Sequence, residues 1–353
     1  MARTLAALMA LLGAATAAQA QAHDKARANS YDDAWEAGWV AHGRSVYRTA
    51  AKTTGFVLQV GDSITHSNPS SQWPRSPNGA TTEDLAAISW CLADVAWPGS
   101  QNDTSSKNGW YLACADTSGI RGMCSGSGLD TIELTTGGGN GGTTMPMTSD
   151  PAAARTYVAD GTTYSSDLQI HTVAAAFQDA QYAVLMIGTN DMNAGRDVDA
   201  TATNVTSIVD ALEAQNVVVV LSTIPPHFDA AKNANVVAYN DRLRTLAQTR
   251  GLPLIDYYAE ILARRPGTSW NGTLLGLDDL HPSASGGGYS SSSDPYVPGG
   301  DSATHATGDA CLNVGYLLRS WLTIQKLKEV KSYVSDGNNP PASPPPVPPP
   351  APP

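Results

Sequence analysis

Basic residues are scarce in this chain. Its 21 lysines and arginines face 32 acids, leaving a formal charge of −11, so there is no basic face of the kind that holds nucleic acid. Beyond the first twenty residues, no apolar run is long enough to cross a bilayer. No C-x-x-C spacing occurs and no histidine sits at a matching offset, which argues against a zinc site; no metal and no cofactor is expected. No internal repeat is visible. With 42% hydrophobic and 15% charged residues, the composition excludes a mainly disordered chain. The 353 residues suffice for one large domain or two ordinary ones.

The first residues read as an address. Arg3 is followed by an apolar stretch from Leu5 to Ala18 and by two small-residue cleavage patterns, Ala18-Gln19-Ala20 and Ala20-Gln21-Ala22. Residues 1–20 therefore read as a secretory signal peptide rather than a spanning helix, and the expected location is extracellular or periplasmic. Four cysteines, an even number in an exported chain, predict two disulfides with three possible pairings. Cys114 and Cys124 are close in sequence within a glycine-rich loop, which favours Cys114–Cys124 plus Cys91–Cys311.

At the other end, ten of the fourteen residues from Pro340 to Pro353 are proline. Such a segment forms stiff polyproline II and builds no core. Residues 337–353 read as a linker or tail, a spacer toward a further domain. Residues 21–53 read as an N-terminal helical extension and 54–336 as the main domain.

Within that domain strands and helices alternate. Phe56–Val60, Ala183–Ile187, Val217–Leu221 and Leu252–Asp256 are short, continuously apolar runs, the pattern of strands buried on both faces. Val205, Ile208, Val209 and Leu212 form one helical stripe. Val236, Tyr239, Leu243 and Leu246 form another, closed by Gly251. A last helix is expected over 312–334, with basic residues in its final turns. This order predicts a parallel sheet in an α/β domain. Two long segments, 66–150 and 283–309, are rich in Gly, Ser, Thr and Asn and break the alternation as inserted loops.

In an open parallel sheet, sites form beyond the carboxyl ends of the strands. Gly61-Asp62-Ser63-Ile64-Thr65 follows the first strand and Gly188-Thr189-Asn190-Asp191 the second. Ser222 to His227 follows the third, and Asp278-Asp279-Leu280-His281-Pro282 precedes the last helix. A serine at a strand end, a histidine placed by an acid and nearby polar donors are the ingredients of acyl transfer.

Taken in order, the blocks GDSIT, GTND and DDLHP resemble the SGNH (GDSL-type) hydrolase family over roughly residues 54–334. The resemblance implies a three-layer α/β/α sandwich and a serine ester hydrolase. By it, Ser63 is the nucleophile, His281 the general base and Asp278 the acid that orients it. The oxyanion hole would combine the Ser63 N–H, the Asn190 side chain and a glycine N–H. Gly122 is the choice for that glycine, with Gly119 and Gly126 also in its loop.

Asp279 and Asp256 compete as the acid, but Asp278 and His281 at i, i+3 can meet across one helical turn. Asp62 and Asp191 are expected to hold loop geometry. His66, His171, His227 and His305 are assigned no role. The serine also lacks a G-x-S-x-G elbow, which points away from the α/β-hydrolases.

Trp73, Trp90, Trp97 and Trp110 fall in or beside the long segment after the serine. They read either as a platform for sugar rings or as packing. Export, acidity, these tryptophans and the proline-rich spacer favour a carbohydrate esterase removing acetyl groups from extracellular polysaccharide. A secreted lipase or phospholipase is the alternative. A non-catalytic binding module on the same scaffold is disfavoured, because nucleophile, base, acid and amide donor are all present.

Overall fold

The computed structural model describes residues 33–66, 70, 73–74, 77, 79–91, 110–112, 131, 155–159, 162–166, 179–284 and 310–340. Helix α1 (Asp33–Val46) precedes β1 (Val57–Gly61), the single turn α2 (Ser63–His66) and α3 (Thr82–Cys91). β2 (Trp110–Leu112), β3 (Arg155–Ala159) and β4 (Thr162–Ser166) follow, then β5 (Tyr182–Met186), α4 (Thr189–Asn193) and α5 (Val198–Ala214). Next come β6 (Val218–Ser222), α6 (Ala230–Arg250), β7 (Leu254–Ile255) and α7 (Tyr257–Arg264). The last elements are α8 (Ala310–Asn313) and α9 (Gly315–Val330), the latter running into a π-helical turn at Lys331–Ser335.

Five strands form a parallel sheet in the order β2-β1-β5-β6-β7, and β3 pairs with β4 as a separate antiparallel hairpin. Every residue of β1, β5 and β6 is buried, as continuous apolar runs require in a sheet covered on both sides. Helices α4, α5 and α6 pack together as one group; α3, α7 and α8 pack against or beside α9 as another. The three longer expected strands are present with ends displaced by one residue. The fourth pairs only over Leu254–Ile255, because Pro253 has no N–H to give the ladder.

Helix α5 starts under Asp197, whose carboxylate accepts from the Ala200 N–H. It buries Val205, Ile208, Val209 and Leu212. Helix α6 buries Val236, Tyr239, Asn240, Leu243 and Ala247 and stops at Gly251, which is left-handed at φ 67°. The last helix is not continuous as expected: Val314 is extended (φ −131°) and separates α8 from α9.

Helix α1, expected as part of an extension, is built into the same core. It touches α6, β6 and the π-helical turn, and Trp39 is fully buried. The Lys326 ammonium lies 5.6 Å from the Trp39 ring centroid and donates to Glu329 at 2.6 Å. Arg44 donates to the carbonyls of Tyr333 and Asn338. Lys52 donates to those of Ala180 and Gln215, and burial pulls its pKa down to about 8 against the pull of Asp179.

One expectation needs correction here, and one open choice is decided. The Cys91–Cys311 disulfide is not formed: Cys91 keeps a buried free thiol that donates to the Ile88 carbonyl of its own helix at 3.6 Å, and burial pushes its pKa well up. Counting cysteines fixes the number of pairings but says nothing of which sulfurs the packing turns toward each other. Cys114 and Cys124 lie outside the described residues. Trp73 is fully buried and so packs the core rather than presenting a platform; Trp90 stands edge-on to Tyr182 with ring centroids 5.0 Å apart. Trp97 and the side chain of Trp110 lie outside the described residues.

Trp39→Ala should therefore destabilise the whole domain by about 3–5 kcal/mol, the usual cost of emptying a buried aromatic site. Urea denaturation measures this, and a loss under about 1 kcal/mol would show that α1 is an appendage.

Candidate active site

Two glycines bring the strand ends together. In register, Gly61 of β1 lies beside Met186 of β5. A Cβ at Gly61 would come 2.2 Å from the Met186 carbonyl and 2.3 Å from the Thr65 hydroxyl. Gly188 has φ 114° and no room for a Cβ, which would meet the Tyr239 ring at 2.5 Å. The chain can therefore turn sharply at both strand ends, and Ser63 and Asn190 emerge at the same carboxyl edge. Tyr239 holds the second turn from below by donating to the Ile187 carbonyl at 2.8 Å.

Ser63 opens α2, and Asp62 shapes that turn: its side chain accepts from the Ile64 N–H at 3.0 Å and its carbonyl from the Thr65 N–H at 3.0 Å. Asp62 is fully buried. Burial raises its pKa, and the Ile64 N–H and the charge of Arg319 act the other way. Arg319, itself buried, donates to the Thr65 hydroxyl at 2.9 Å. A buried cation and a buried carboxyl thus lie beneath the serine turn. Desolvation lowers the Arg319 pKa, while Tyr257, Tyr316 and Asp62 oppose the shift.

The serine hydroxyl lies 2.7 Å from Nε2 of His281, 218 positions along the chain. On the other side of the ring, Nδ1 lies 2.8 Å from Oδ1 of Asp279. An ionised carboxylate can only accept, so Nδ1 carries the proton and Nε2 is left to accept from the serine O–H. The same Asp279 oxygen also accepts from the His281 backbone N–H at 3.1 Å. Burial raises the Asp279 pKa, but the hydrogen bonds from the His281 ring and backbone outweigh it and hold the carboxyl below its usual range.

Asp278 is not the residue that meets the histidine. Its side chain accepts from Asn271 Nδ2 at 2.9 Å instead. The i, i+3 argument presumes a helix, whereas residues 276–281 form a turn with Asp278 left-handed at φ 52°. In that turn a carboxylate reaches the N–H two residues ahead, as Asp side chains do in Asx-turns. Spacing selects Asp279 once the backbone is not helical.

Asp191 is fully buried and holds more than its own loop. Its two carboxylate oxygens accept from the Thr131 N–H at 3.0 Å and the Thr131 hydroxyl at 2.7 Å. Asn204 donates to the same hydroxyl at 3.0 Å. The inserted segment is thus tied to the helix that bears Asn190. Nothing in the residue pattern near Thr131 signals this contact. Asp256 is engaged by Arg244 at 2.8 Å and Thr223 at 3.1 Å, away from His281.

His227, in the loop between β6 and α6, accepts from the Asp229 N–H through Nδ1 and so donates through Nε2 to Asn193 at 3.2 Å. Burial, aided by Lys232, lowers its pKa. Gly122, Gly119, Gly126, His171, His305 and the side chain of His66 lie outside the described residues. No cluster of His, Cys, Asp or Glu among the described residues is arranged to hold a metal ion.

A serine, a histidine and a carboxylate in hydrogen-bonded sequence at the carboxyl edge of a parallel sheet define a hydrolase of the acyl-transfer class. Residues 134–287 match the model of the GDSL-like Lipase/Acylhydrolase family, which is the family that this part of the chain is similar to. The matched region contains Asn190, Asp279 and His281 and begins after Ser63, which the fold returns to it. Among solved structures, a GDSL-like lipase from Bacteroides thetaiotaomicron VPI-5482 aligns at 15% identity and TM-score 0.38, over 65% of this chain and 80% of its own. An acetyl esterase mutant with an acetate ion aligns at 17% identity and TM-score 0.36, over 65% of this chain and 89% of its own. At these scores neither bears on the chemistry of this chain. Comparison with curated proteins found no match.

Asp279→Asn should lower kcat by roughly 10³–10⁴-fold, because an amide can present the wrong group to Nδ1 and cannot stabilise the imidazolium. Asp278→Asn keeps an oxygen for Asn271 and should lose less than about tenfold. Steady-state hydrolysis of an aryl acetate by both variants is the check, and the reverse order would return the role to Asp278.

Proposed function

We propose that Ser63 attacks the ester carbonyl and forms an acyl-enzyme, and that the physiological substrate is an acetylated extracellular polysaccharide. The hydrogen-bonded series from Ser63 through His281 to Asp279 carries the catalytic part of this reading. As the Ser63 oxygen attacks, Nε2 takes its proton; the ring, now cationic, is held against Asp279. The same proton then passes to the departing alcohol. Water repeats the sequence on the acyl-enzyme and releases the acid. Asn190 and the Ser63 N–H are assigned to the developing oxyanion, where one lost donor typically costs about 3–4 kcal/mol.

The substrate part rests on composition. The segments flanking Ser63 and His281 are polar and rich in Ser, Gly and Thr, offering little apolar wall to a long acyl chain. The leader-like N-terminus and the proline-rich tail support export and action on a polymer. No helix among the described residues is long and apolar enough to cross a membrane.

Ser63→Ala should leave the fold intact and abolish hydrolysis of p-nitrophenyl acetate; retention of more than about a tenth of wild-type kcat would remove Ser63 from the nucleophile role. Across p-nitrophenyl esters, kcat/KM should fall from acetyl to octanoyl. Each methylene accepted into an apolar groove would instead add up to about 0.8 kcal/mol of binding, so a steady rise would establish the lipase alternative. Acetate release from acetylated xylan or pectin then tests the polymer.

A further inference from the structure

We propose that Asn271 is a positioning residue that selects which of two adjacent carboxylates serves the histidine, keeping Asp278 off His281 so that Asp279 takes its place. The proposal rests on the serine-esterase reading above.

Asp278 and Asp279 are consecutive and exposed, three and two positions before His281, and Asp279 is the one paired with its imidazole. Either could pair with it, and the loop backbone decides. Asn271 grips Asp278 twice: Oδ1 accepts from the Asp278 N–H at 2.8 Å, and Nδ2 donates to Asp278 Oδ1 at 2.9 Å. This reciprocal pair holds Asp278 at φ 52°, a region that non-glycine residues enter only at a cost and that Asp and Asn tolerate best.

Asn271 is itself anchored, its N–H bonded to the Thr268 carbonyl at 3.0 Å and its backbone bridged to Leu275, which bridges on to Pro282. With Asp278 fixed outward, the turn closes through Asp279 N–H to the Gly276 carbonyl at 3.2 Å and Gly276 N–H to the His281 carbonyl at 3.0 Å. That closure places Asp279 Oδ1 over both N–H groups of His281. Removing the Asn271 amide takes away both bonds to Asp278, and relaxation of its left-handed backbone toward the ordinary region would free the carboxylate three positions before His281 to turn toward the ring.

The test is a double-mutant cycle on the full chain with p-nitrophenyl acetate. Asn271→Ala should lower kcat at least about fivefold with KM within about twofold, since it disturbs the base and not ester binding. Asp279→Asn alone should be nearly inactive, whereas Asn271→Ala with Asp279→Asn should be several-fold more active than Asp279→Asn, because Asp278 is released to act. A role in stability alone would make the double variant equal to or worse than the single one. That result, or an Asn271→Ala enzyme indistinguishable from wild type, overturns the proposal.

A second measurement does not need turnover. The downfield Nδ1 proton of His281, observed by NMR in Ser63→Ala protein, should vanish or shift with Asp279→Asn, and should move with Asn271→Ala but not with a surface substitution such as Asp199→Asn. No movement with Asn271→Ala also overturns the proposal. A wild-type chain inactive on every ester would instead count against the esterase reading, with the NMR comparison still deciding the role of Asn271.

Discussion

Close approach of β1 and β5 is the constraint on which the site depends. Their Cα register pairs Gly61 with Met186, and both strands are buried along their whole length. Because a Cβ at Gly61 would collide with the Met186 carbonyl, the serine turn can leave the sheet only where that side chain is missing. The same close packing recurs at Gly188 beneath the Tyr239 ring. The sheet is therefore a rigid shelf whose edge sets the positions of Ser63 and Asn190, and the histidine loop is brought to it from the far end of the chain.

That shelf is underlaid by charge. Asp62 and Arg319 are buried within the same region below Ser63, and Asp191 is buried beside Asn190 with Thr131 across it. Buried charged groups are tolerated only with partners, so each ties one segment to another: Arg319 fastens α9 to the serine turn, and Asp191 fastens the inserted segment to α4. Elements distant in sequence are thereby held at the distances that proton transfer requires.

The histidine loop works by a different principle. Its side chains are partly exposed, with 53% of the Asp279 side chain and 41% of the His281 side chain accessible, so packing alone cannot orient them. Local hydrogen bonds do so instead: one carboxylate oxygen serves two N–H groups of the same histidine, and a reciprocal amide pair holds the residue before it. Exposed ion pairs are weak singly, which is why the turn relies on several short-range bonds closing on one another.

The strands, two of the helices and the Ser63–His281 pair that the fold brings together were legible in the linear pattern. Burial on both faces demands continuous apolar runs, and chemistry at strand ends demands polar residues just after them. Asp197, Asp229 and Gly251 stand where helices begin and end for equally local reasons. What the pattern could not settle was every choice between near neighbours in sequence or between distant partners. Asp279 rather than Asp278 follows from a left-handed backbone that spacing does not encode. The buried thiol of Cys91, the place of α1 in the core and the Thr131–Asp191 contact depend on which surfaces meet after folding. Periodicity reports the environment of one segment; only tertiary packing decides which other segment supplies that environment, and at this site that decision selects the carboxylate.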